Sequence, residues 1–181
     1  SVYVRGLIEF SNYCKNDCTY CGISIHNKEL TRYHMTPEEV IKTAEIGYSL
    51  GFRTFVMQGG EDTSFTDDKF AAIISSIKTQ FPEAAVTLSI GERSKESYQK
   101  LYDAGADRFL IRHETINKKL YEKLHPKMSY ENRIKSLFDL KDIGFQVGTG
   151  FMVGVPGQEI EDIADDLLFI KELNPHMIGI G

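Results

Sequence analysis

The sequence VYVRGLIEFSNYCKNDCTYC, residues 2–21, joins an apolar segment to a loop that holds every cysteine of the chain. Its first part, Val2–Phe10, is rich in β-branched, aromatic and aliphatic residues and predicts a buried strand. The cysteines that follow, Cys14, Cys18 and Cys21, have the spacing C-x3-C-x2-C. Thiolates are soft ligands that suit iron–sulfur clusters or zinc. The stretch therefore predicts a metal site at the carboxyl end of a strand.

The number of cysteines bears on the kind of metal site. A four-iron cluster needs four ligands, so three cysteines leave one iron atom open to a small molecule, whereas an electron carrier would close that position. The alternative is a structural zinc site completed by His26 or His34, because zinc also accepts three cysteines and one histidine. The spacing alone leaves both readings open.

The composition limits the other classes of function. The chain has 181 residues, of which 41% are hydrophobic and 26% charged, as in an ordinary globular domain. Its net charge of -5 and its scattered Lys and Arg residues argue against binding of nucleic acid or of an anionic membrane surface. Sequence inspection finds no apolar run near the ~20 residues that a membrane span needs. Cysteines that occur only in the cluster favour a reducing compartment, the cytoplasm.

Beyond the cysteine loop, apolar segments of strand length alternate with amphipathic segments of helix length, which predicts right-handed βαβ units and a parallel sheet. The predicted strands are Val2–Phe10, Thr54–Gln58, Ala85–Ile90, Arg108–Arg112, Gln146–Val153 and Met177–Gly181. The predicted helices are Pro37–Leu50, Phe65–Gln80, Ser94–Ala104, Lys118–Leu124, Tyr130–Ile143 and Ile160–Leu173.

The position of the cysteine loop decides between two parallel α/β folds. A doubly wound sheet would carry a glycine-rich nucleotide signature after its first strand, and here the cysteine loop stands in that place. We therefore predict an α/β fold of the (βα)n TIM-barrel type, with its active face at the carboxyl ends of the strands. We expect residues 1–181 to be one domain, with six strands of a longer (βα)8 barrel.

Polar residues recur along the strands and just after them, and alternate side chains of a barrel strand point into its mouth. Burying charges there is costly unless they are paired or ligated, so these residues predict a zwitterionic ligand. The set is Gln58, Glu61, Thr87, Ser89, Arg108, Arg112 and Glu114.

The cysteine loop resembles the signature of the radical S-adenosylmethionine (SAM) enzymes, C-x3-C-x-aromatic-C, with Tyr20 as the aromatic residue. The resemblance implies a 4Fe-4S cluster on Cys14, Cys18 and Cys21, with the open iron bound by SAM. It also implies that Tyr20 lies near the adenine, and that reductive cleavage of SAM yields a 5′-deoxyadenosyl radical that attacks a substrate.

Later motifs extend the resemblance. Gly59-Gly60-Glu61 is similar to the family's GGE motif, which receives the amino group of SAM. Glu114 and Arg133 match a narrower subgroup in which both residues hold SAM, and an arginine fork suits a carboxylate. Met152 falls in an element that is similar to the one whose backbone meets the adenine. Without the resemblance, the glycine pair reads as a strand-to-helix turn and Arg133 as a solvated helix charge.

Alternation along the strands separates the polar residues by depth. Ser89 and Glu114 lie one step nearer the rim than Thr87 and Arg112, so we assign the rim pair to SAM. The deeper residues are assigned to the substrate, which gives the set Gln58, Thr87, Arg108 and Arg112. The alternative is a buried ion pair between Arg112 and Glu114 that touches no ligand.

The motifs QGGED, LSIGE, ADRFLIRHET, YENR, VGVPGQ and MIGIG together are most similar to the FeFe-hydrogenase maturases of the HydE type. The resemblance implies an enzyme of H-cluster maturation that acts on a small-molecule iron- or sulfur-containing precursor. Expected partners are an electron donor such as a ferredoxin or flavodoxin, and other hydrogenase maturases. The alternatives are an amino-acid mutase like methylornithine synthase, an enzyme like biotin synthase, and a non-catalytic iron–sulfur carrier.

Overall fold

The computed structural model describes residues 4–181 as alternating strands and helices. The strands are β1 Gly6–Ser11, β2 Thr54–Gly59, β3 Ala85–Ser89, β4 Arg108–Leu110, β5 Gln146–Phe151 and β6 Met177–Ile180. The helices are α1 Pro37–Ser49, α2 Asp67–Gln80, α3 Lys95–Asp103, α4 Lys118–Leu124, α5 Tyr130–Ile143 and α6 Ile160–Leu173. Only between β4 and β5 do two helices, α4 and α5, follow one another.

Within these residues the strands form one sheet in the order β1-β2-β3-β4-β5-β6, and every neighbouring pair is parallel. Each crossover from one strand to the next contains at least one helix, as parallel pairing requires. The predicted α/β architecture of the (βα)n type is confirmed. Of the first predicted strand, Val2 and Tyr3 lie outside the described residues, and β1 extends to Ser11.

The helices begin where the sequence supplies a capping side chain. Thr36 accepts a hydrogen bond from the backbone of Glu39, whose carboxylate in turn accepts one from the Thr36 amide, so α1 starts with a capping box. Thr66 caps α2 and Ser94 caps α3 in the same way through their hydroxyl oxygens. These caps leave each loop before its helix free to lie over the carboxyl edge of the sheet.

The hydrophobic core lies between the sheet and the helices. Alternate strand residues face this layer, and helix residues such as Phe70 and Ile74 are wholly buried against them. The strand residues on this side are Ile8, Phe10, Phe55, Met57, Val86, Leu88, Phe109 and Val147. The intervening strand residues lie on the other, concave face. There Val56 is in register with Thr87, and Gln58 with Ser89. In the described part of the chain, no helix is long and apolar enough to cross a membrane.

Candidate functional site

The cysteine loop follows β1 and is held on one side by the end of β2. The backbone amide of Lys15 donates to the carbonyl of Glu61 over 3.2 Å. A β-carbon added at Gly60 would lie 2.3 Å from the carbonyl oxygen of Tyr13 and 2.6 Å from the β-carbon of Cys14. Gly60 is therefore required where it stands, because the loop that carries the first cysteine passes directly over it.

The carboxylate of Glu61 is engaged by protein groups. Its oxygens lie 3.0 Å from Nζ of Lys15 and 2.9 Å from the amide nitrogen of Glu92, which donates to it. A β-carbon at Gly91 would come within 2.2 Å of the Glu61 side chain. Glu61 thus joins the cysteine loop to the loop after β3. Its expected contact with the amino group of SAM remains a prediction.

The other side of the cysteine loop rests on the C-terminal end of α4. The amide of Thr19 donates to the carbonyl of Leu124 over 3.0 Å, and the Tyr20 hydroxyl lies 2.9 Å from Nε2 of His125. Two residues later, Lys127 pairs with the buried carboxylate of Asp17 at 3.6 Å. The sequence prediction gave no role to segment 124–127, and its only local sign is a His-Pro pair at the end of a helix.

The three cysteines are partly buried and close enough to influence one another. Burial raises the pKa of Cys18 to about 12, the negative charges of Cys21 and Cys14 add to the rise, and Arg133 opposes it. Thiols that destabilise each other's charged form in this way are stabilised by a bound cation. The donor set and its crowding therefore fit an iron–sulfur cluster.

The zinc alternative requires a tighter group. With zinc–sulfur bonds of about 2.3 Å, three thiolates and a histidine would all meet at one point. Among residues 4–181, no group of three or more His, Cys, Asp or Glu side chains could hold a single metal ion. His26 instead lies 3.8 Å from Asp17, and His34 lies 3.8 Å from Asp62. In a four-iron cluster each thiolate would bind a different iron, so the three sulfur atoms need not meet at one point.

Arg133 lies close enough to the cysteine loop to act on the charge of Cys18, but much of its guanidinium is already used, and its contact with SAM remains a prediction. Nε donates to Glu92 over 2.6 Å and an Nη donates to the carbonyl of Arg112 over 2.5 Å. The residue is only 6% exposed, which excludes a solvated helix charge. Glu92, its partner, belongs to the LSIGE motif, yet the sequence prediction gave it no role.

Arg112 and Glu114 face each other without a good bond. Nε of Arg112 and Oε2 of Glu114 are 3.6 Å apart, and within residues 4–181 neither buried atom has a hydrogen-bond partner. Burial raises the pKa of Glu114, although Arg112 and Arg133 act in the opposite direction. Buried polar atoms without partners are costly, so this pair is better suited to receiving a polar ligand than to a finished ion pair.

The segment that carries Arg112 and Glu114 is held in place by contacts with β5 and α6. Glu114 has a φ of 65° and its amide donates to the carbonyl of Gly150. Between them, His113 is wholly buried, with Nδ1 3.0 Å from the Thr149 hydroxyl and Nε2 3.4 Å from Asp166 of α6. A left-handed backbone at a glutamate is strained and persists only where its surroundings hold it, and these contacts supply that support.

The remaining predicted residues divide into two groups. Met152 lies beside Glu114, one of the residues assigned to SAM, because its amide donates to the carbonyl of Glu114 over 3.1 Å. Gln58 and Ser89 are register partners on the concave face, and Thr87 is buried one level deeper. Thr87 therefore has the depth that the alternation predicted.

Arg108 is the exception. It begins β4, and its guanidinium contacts Gln146 at the start of β5 and Thr54 at the start of β2. These residues line a cavity of about 370 Å³ at the amino-terminal end of the strands, whereas the cysteine loop lies at the carboxyl end. Because Arg108 is the first residue of β4, its side chain lies at the amino-terminal end of the strands and not at the rim, contrary to the sequence prediction that grouped it with Arg112.

A parallel (βα)n sheet whose first loop carries a C-x3-C-x2-C site is the arrangement of the radical SAM enzymes, and the chain belongs to the radical SAM superfamily, whose family profile matches residues 8–170. The sequence is 49% identical over 180 residues to the [FeFe] hydrogenase maturase subunit HydE of Thermotoga maritima, covering 99% of this chain and 51% of the relative. It is 29% identical over 181 residues to 3-methylornithine synthase of Methanosarcina acetivorans, with the same coverage.

A solved structure shows the same fold. The crystal structure of methylornithine synthase (PylB) superimposes with a TM-score of 0.92 at 27% identity, over 99% of this chain and 53% of that one. The chain thus spans about half the length of the relatives it matches. The superfamily implies a 4Fe-4S cluster and SAM, and the residues at the mouth of the sheet fit both.

Proposed function

We propose that the full-length protein is a radical SAM enzyme that acts in maturation of the FeFe-hydrogenase H-cluster on a small-molecule iron- or sulfur-containing precursor. The observation that carries the proposal is the loop of three mutually interacting thiols at the carboxyl end of the sheet, the end where Arg112 Nε and Glu114 Oε2 lack hydrogen-bond partners among residues 4–181. The 49% identity to a maturase subunit, over 99% of this chain and 51% of that protein, supports the choice of pathway. We also propose that residues 1–181 belong to a longer (βα)8 barrel, which the doubled length of the relatives supports.

The residues of the site are proposed to have separate roles. Cys14, Cys18 and Cys21 hold the cluster, and Tyr20 lies beside them. With a cluster and SAM in place, the site would supply radical chemistry. Glu114 binds the hydroxyl or ammonium groups of SAM, because its buried Oε2 can only accept hydrogen bonds when ionised. Arg133 is held by its ion pair with Glu92, and it fixes the carbonyl of Arg112 by donating a hydrogen bond to it.

Further site residues complete the proposed division of roles. Gly59, Gly60 and Glu61 support the methionine half of SAM from the end of β2, while Ser89 and Met152 contact SAM at the rim. Arg112, Gln58 and Thr87 face the substrate. Of the three only Thr87 is deeply buried, because Gln58 is exposed at the level of Ser89 and Arg112 is more exposed than Glu114, contrary to the predicted order of depth. Excluding water from the substrate position matters, because the radical must react with the substrate before it reacts with anything else.

The protein is proposed to need a reductant and a reducing compartment. A ferredoxin or flavodoxin is the expected electron donor, other hydrogenase maturases are expected partners, and the cytoplasm is the expected location. The cysteines support this, because partly exposed thiols outside a disulfide persist where glutathione and thioredoxin keep them reduced.

A second candidate is an amino-acid mutase of the methylornithine synthase kind. The high structural similarity to that enzyme favours it, and an amino-acid substrate would also suit Arg112. A biotin synthase-like activity is a weaker variant of the same idea, and a non-catalytic iron–sulfur carrier is the remaining alternative.

The test is anaerobic reconstitution of the full-length protein with iron, sulfide, SAM and a reductant. We expect one four-iron cluster per chain, formation of 5′-deoxyadenosine, and loss of SAM cleavage in Cys14→Ala, Cys18→Ala and Cys21→Ala. One tightly bound zinc and no iron–sulfur absorbance would refute the proposal, and a cluster without deoxyadenosine would indicate a carrier. Product identification with lysine as substrate separates the mutase from the maturase.

A further inference from the structure

His125 binds the cysteine loop through a hydrogen bond whose direction the structure fixes. Nδ1 of His125 lies 3.1 Å from the carbonyl oxygen of Tyr121, one turn earlier on α4. A carbonyl oxygen can only accept, so Nδ1 carries the proton of the imidazole. Nε2 then has a free lone pair, and the Tyr20 hydroxyl 2.9 Å away donates to it.

The surroundings of His125 favour this neutral form. The residue is only 1% exposed, and its ring stacks on Tyr121 with centroids 4.2 Å apart. Burial and, after it, the charge of Arg133 lower the pKa of His125 to about 4. The imidazole is therefore a fixed acceptor at neutral pH, aimed at the hydroxyl of Tyr20.

The hydroxyl of Tyr20 also acts on Glu114, whose pKa it lowers against the larger effect of burial. In the structure the hydroxyl bonds to His125, and within residues 4–181 Oε2 of Glu114 has no hydrogen-bond partner. A phenol has one proton to donate. When His125 takes it, the buried Oε2 of Glu114 keeps its lone pairs, and across the described residues this atom has no other partner.

We propose that His125 is a positioning residue of the SAM site, which holds the Tyr20 hydroxyl against α4 and so leaves the Glu114 carboxylate free for the ligand. The inference rests on the proposed function and adds a residue and a direction of hydrogen bonding to it. Without the imidazole, the Tyr20 hydroxyl turns to Glu114, and SAM must displace a charge-assisted hydrogen bond to enter.

Two substitutions separate the two ends of the imidazole. His125→Asn keeps a polar atom near Nδ1, and so the contact with Tyr121, but is too short to reach Tyr20. His125→Gln places a polar atom near Nε2 and restores an acceptor for the hydroxyl. His176→Asn, at an exposed histidine by the other end of the sheet, is the matched control.

The experiment measures SAM affinity of the cluster-loaded full-length variants by calorimetry, and hydrogen exchange at Thr19 in the apoprotein. We expect His125→Asn to weaken SAM binding about tenfold and to speed exchange, with iron content unchanged. His125→Gln should bind SAM within about threefold of wild type. In a Tyr20→Phe background the Asn and Gln variants should no longer differ.

Other outcomes count against the inference. Equal SAM affinity of His125→Asn and His125→Gln would overturn it, as would an undiminished difference between them when Tyr20 is phenylalanine. Loss of the cluster or of the fold in both variants would assign His125 to structure alone. If the wild-type protein itself fails to bind SAM, the proposed function fails first, and this inference falls with it.

Discussion

Gly60→Ala tests how closely the cysteine loop depends on the end of β2. The new β-carbon would stand 2.3 Å from the carbonyl oxygen of Tyr13, 2.6 Å from the β-carbon of Cys14 and 3.0 Å from a methyl group of Ile23. Carbon atoms in protein interiors pack at about 3.5–4.0 Å. The first cysteine would therefore have to retreat by about 1 Å.

The cost of this displacement follows from the atoms that must move. Overpacking a site typically costs about 1–3 kcal/mol, and here the neighbours are backbone and a cysteine β-carbon rather than the end of a flexible side chain. The hydrogen bond from Lys15 to Glu61 flanks the contact and resists the shift. We expect the variant to lose about 1–3 kcal/mol of stability and most of its cluster.

The assay is iron and sulfide content after anaerobic reconstitution, with thermal unfolding of the apoprotein beside it. Gly22→Ala is the matched control, because it follows Cys21 in the same loop and an added β-carbon meets nothing within 4 Å. Gly22→Ala should load a full cluster. If Gly60→Ala loads iron as well as this control, the steric argument for the glycine pair is wrong.

Two further results are expected from the same preparations. Glu114→Gln should weaken SAM binding by about 1.5–3 kcal/mol, the usual contribution of a charged hydrogen bond, and unchanged SAM affinity would contradict this. Arg133→Ala should lower the free energy of unfolding in denaturant by about 3–5 kcal/mol, because it leaves Glu92 buried and without its charged partner, and unchanged stability would contradict this. Arg112→Lys should retain SAM binding and uncoupled deoxyadenosine formation but lose the physiological product, since an ammonium cannot reproduce the planar fork; normal turnover would remove Arg112 from the substrate side.

The fold was accessible from the sequence because its signals are local. Caps, prolines and glycines lie within a few residues of the elements they bound, and α4, α5 and α6 have the predicted limits. Strands β5 and β4 each end two residues early, β5 at Phe151 instead of Val153 and β4 at Leu110 instead of Arg112. After Leu110 the amides of Ile111 and Glu114 still donate to β5, while His113 bonds to Thr149 and contacts Asp166 of α6. This is a tertiary arrangement that no local pattern reports.

The candidate site was accessible only in part. The cysteines can be recognised from their spacing in the sequence, whereas Glu92 and His125 act through contacts with residues 41 and 105 positions away. Nothing in the sequence around either residue distinguishes a buried partner from a surface charge or a core histidine. Alternation placed Thr87 on the concave face, where it is buried. Arg112 lies beyond the end of β4 and is more exposed than Glu114. Alternation gives the face of a residue and not its position along the strand, and Arg108, the first residue of β4, was misplaced for that reason.

These contacts indicate a structural role for the short helix α4. It is followed directly by α5, and its N-cap Asn117 donates to Asp162 of α6 over 2.7 Å. Its other end carries Leu124 and His125, which bond to the cysteine loop. The seven residues of α4, about two turns of helix, therefore connect α6 to the cysteine loop. For this reason the position of the cysteine loop depends on contacts with α4 as well as on the strand that precedes it.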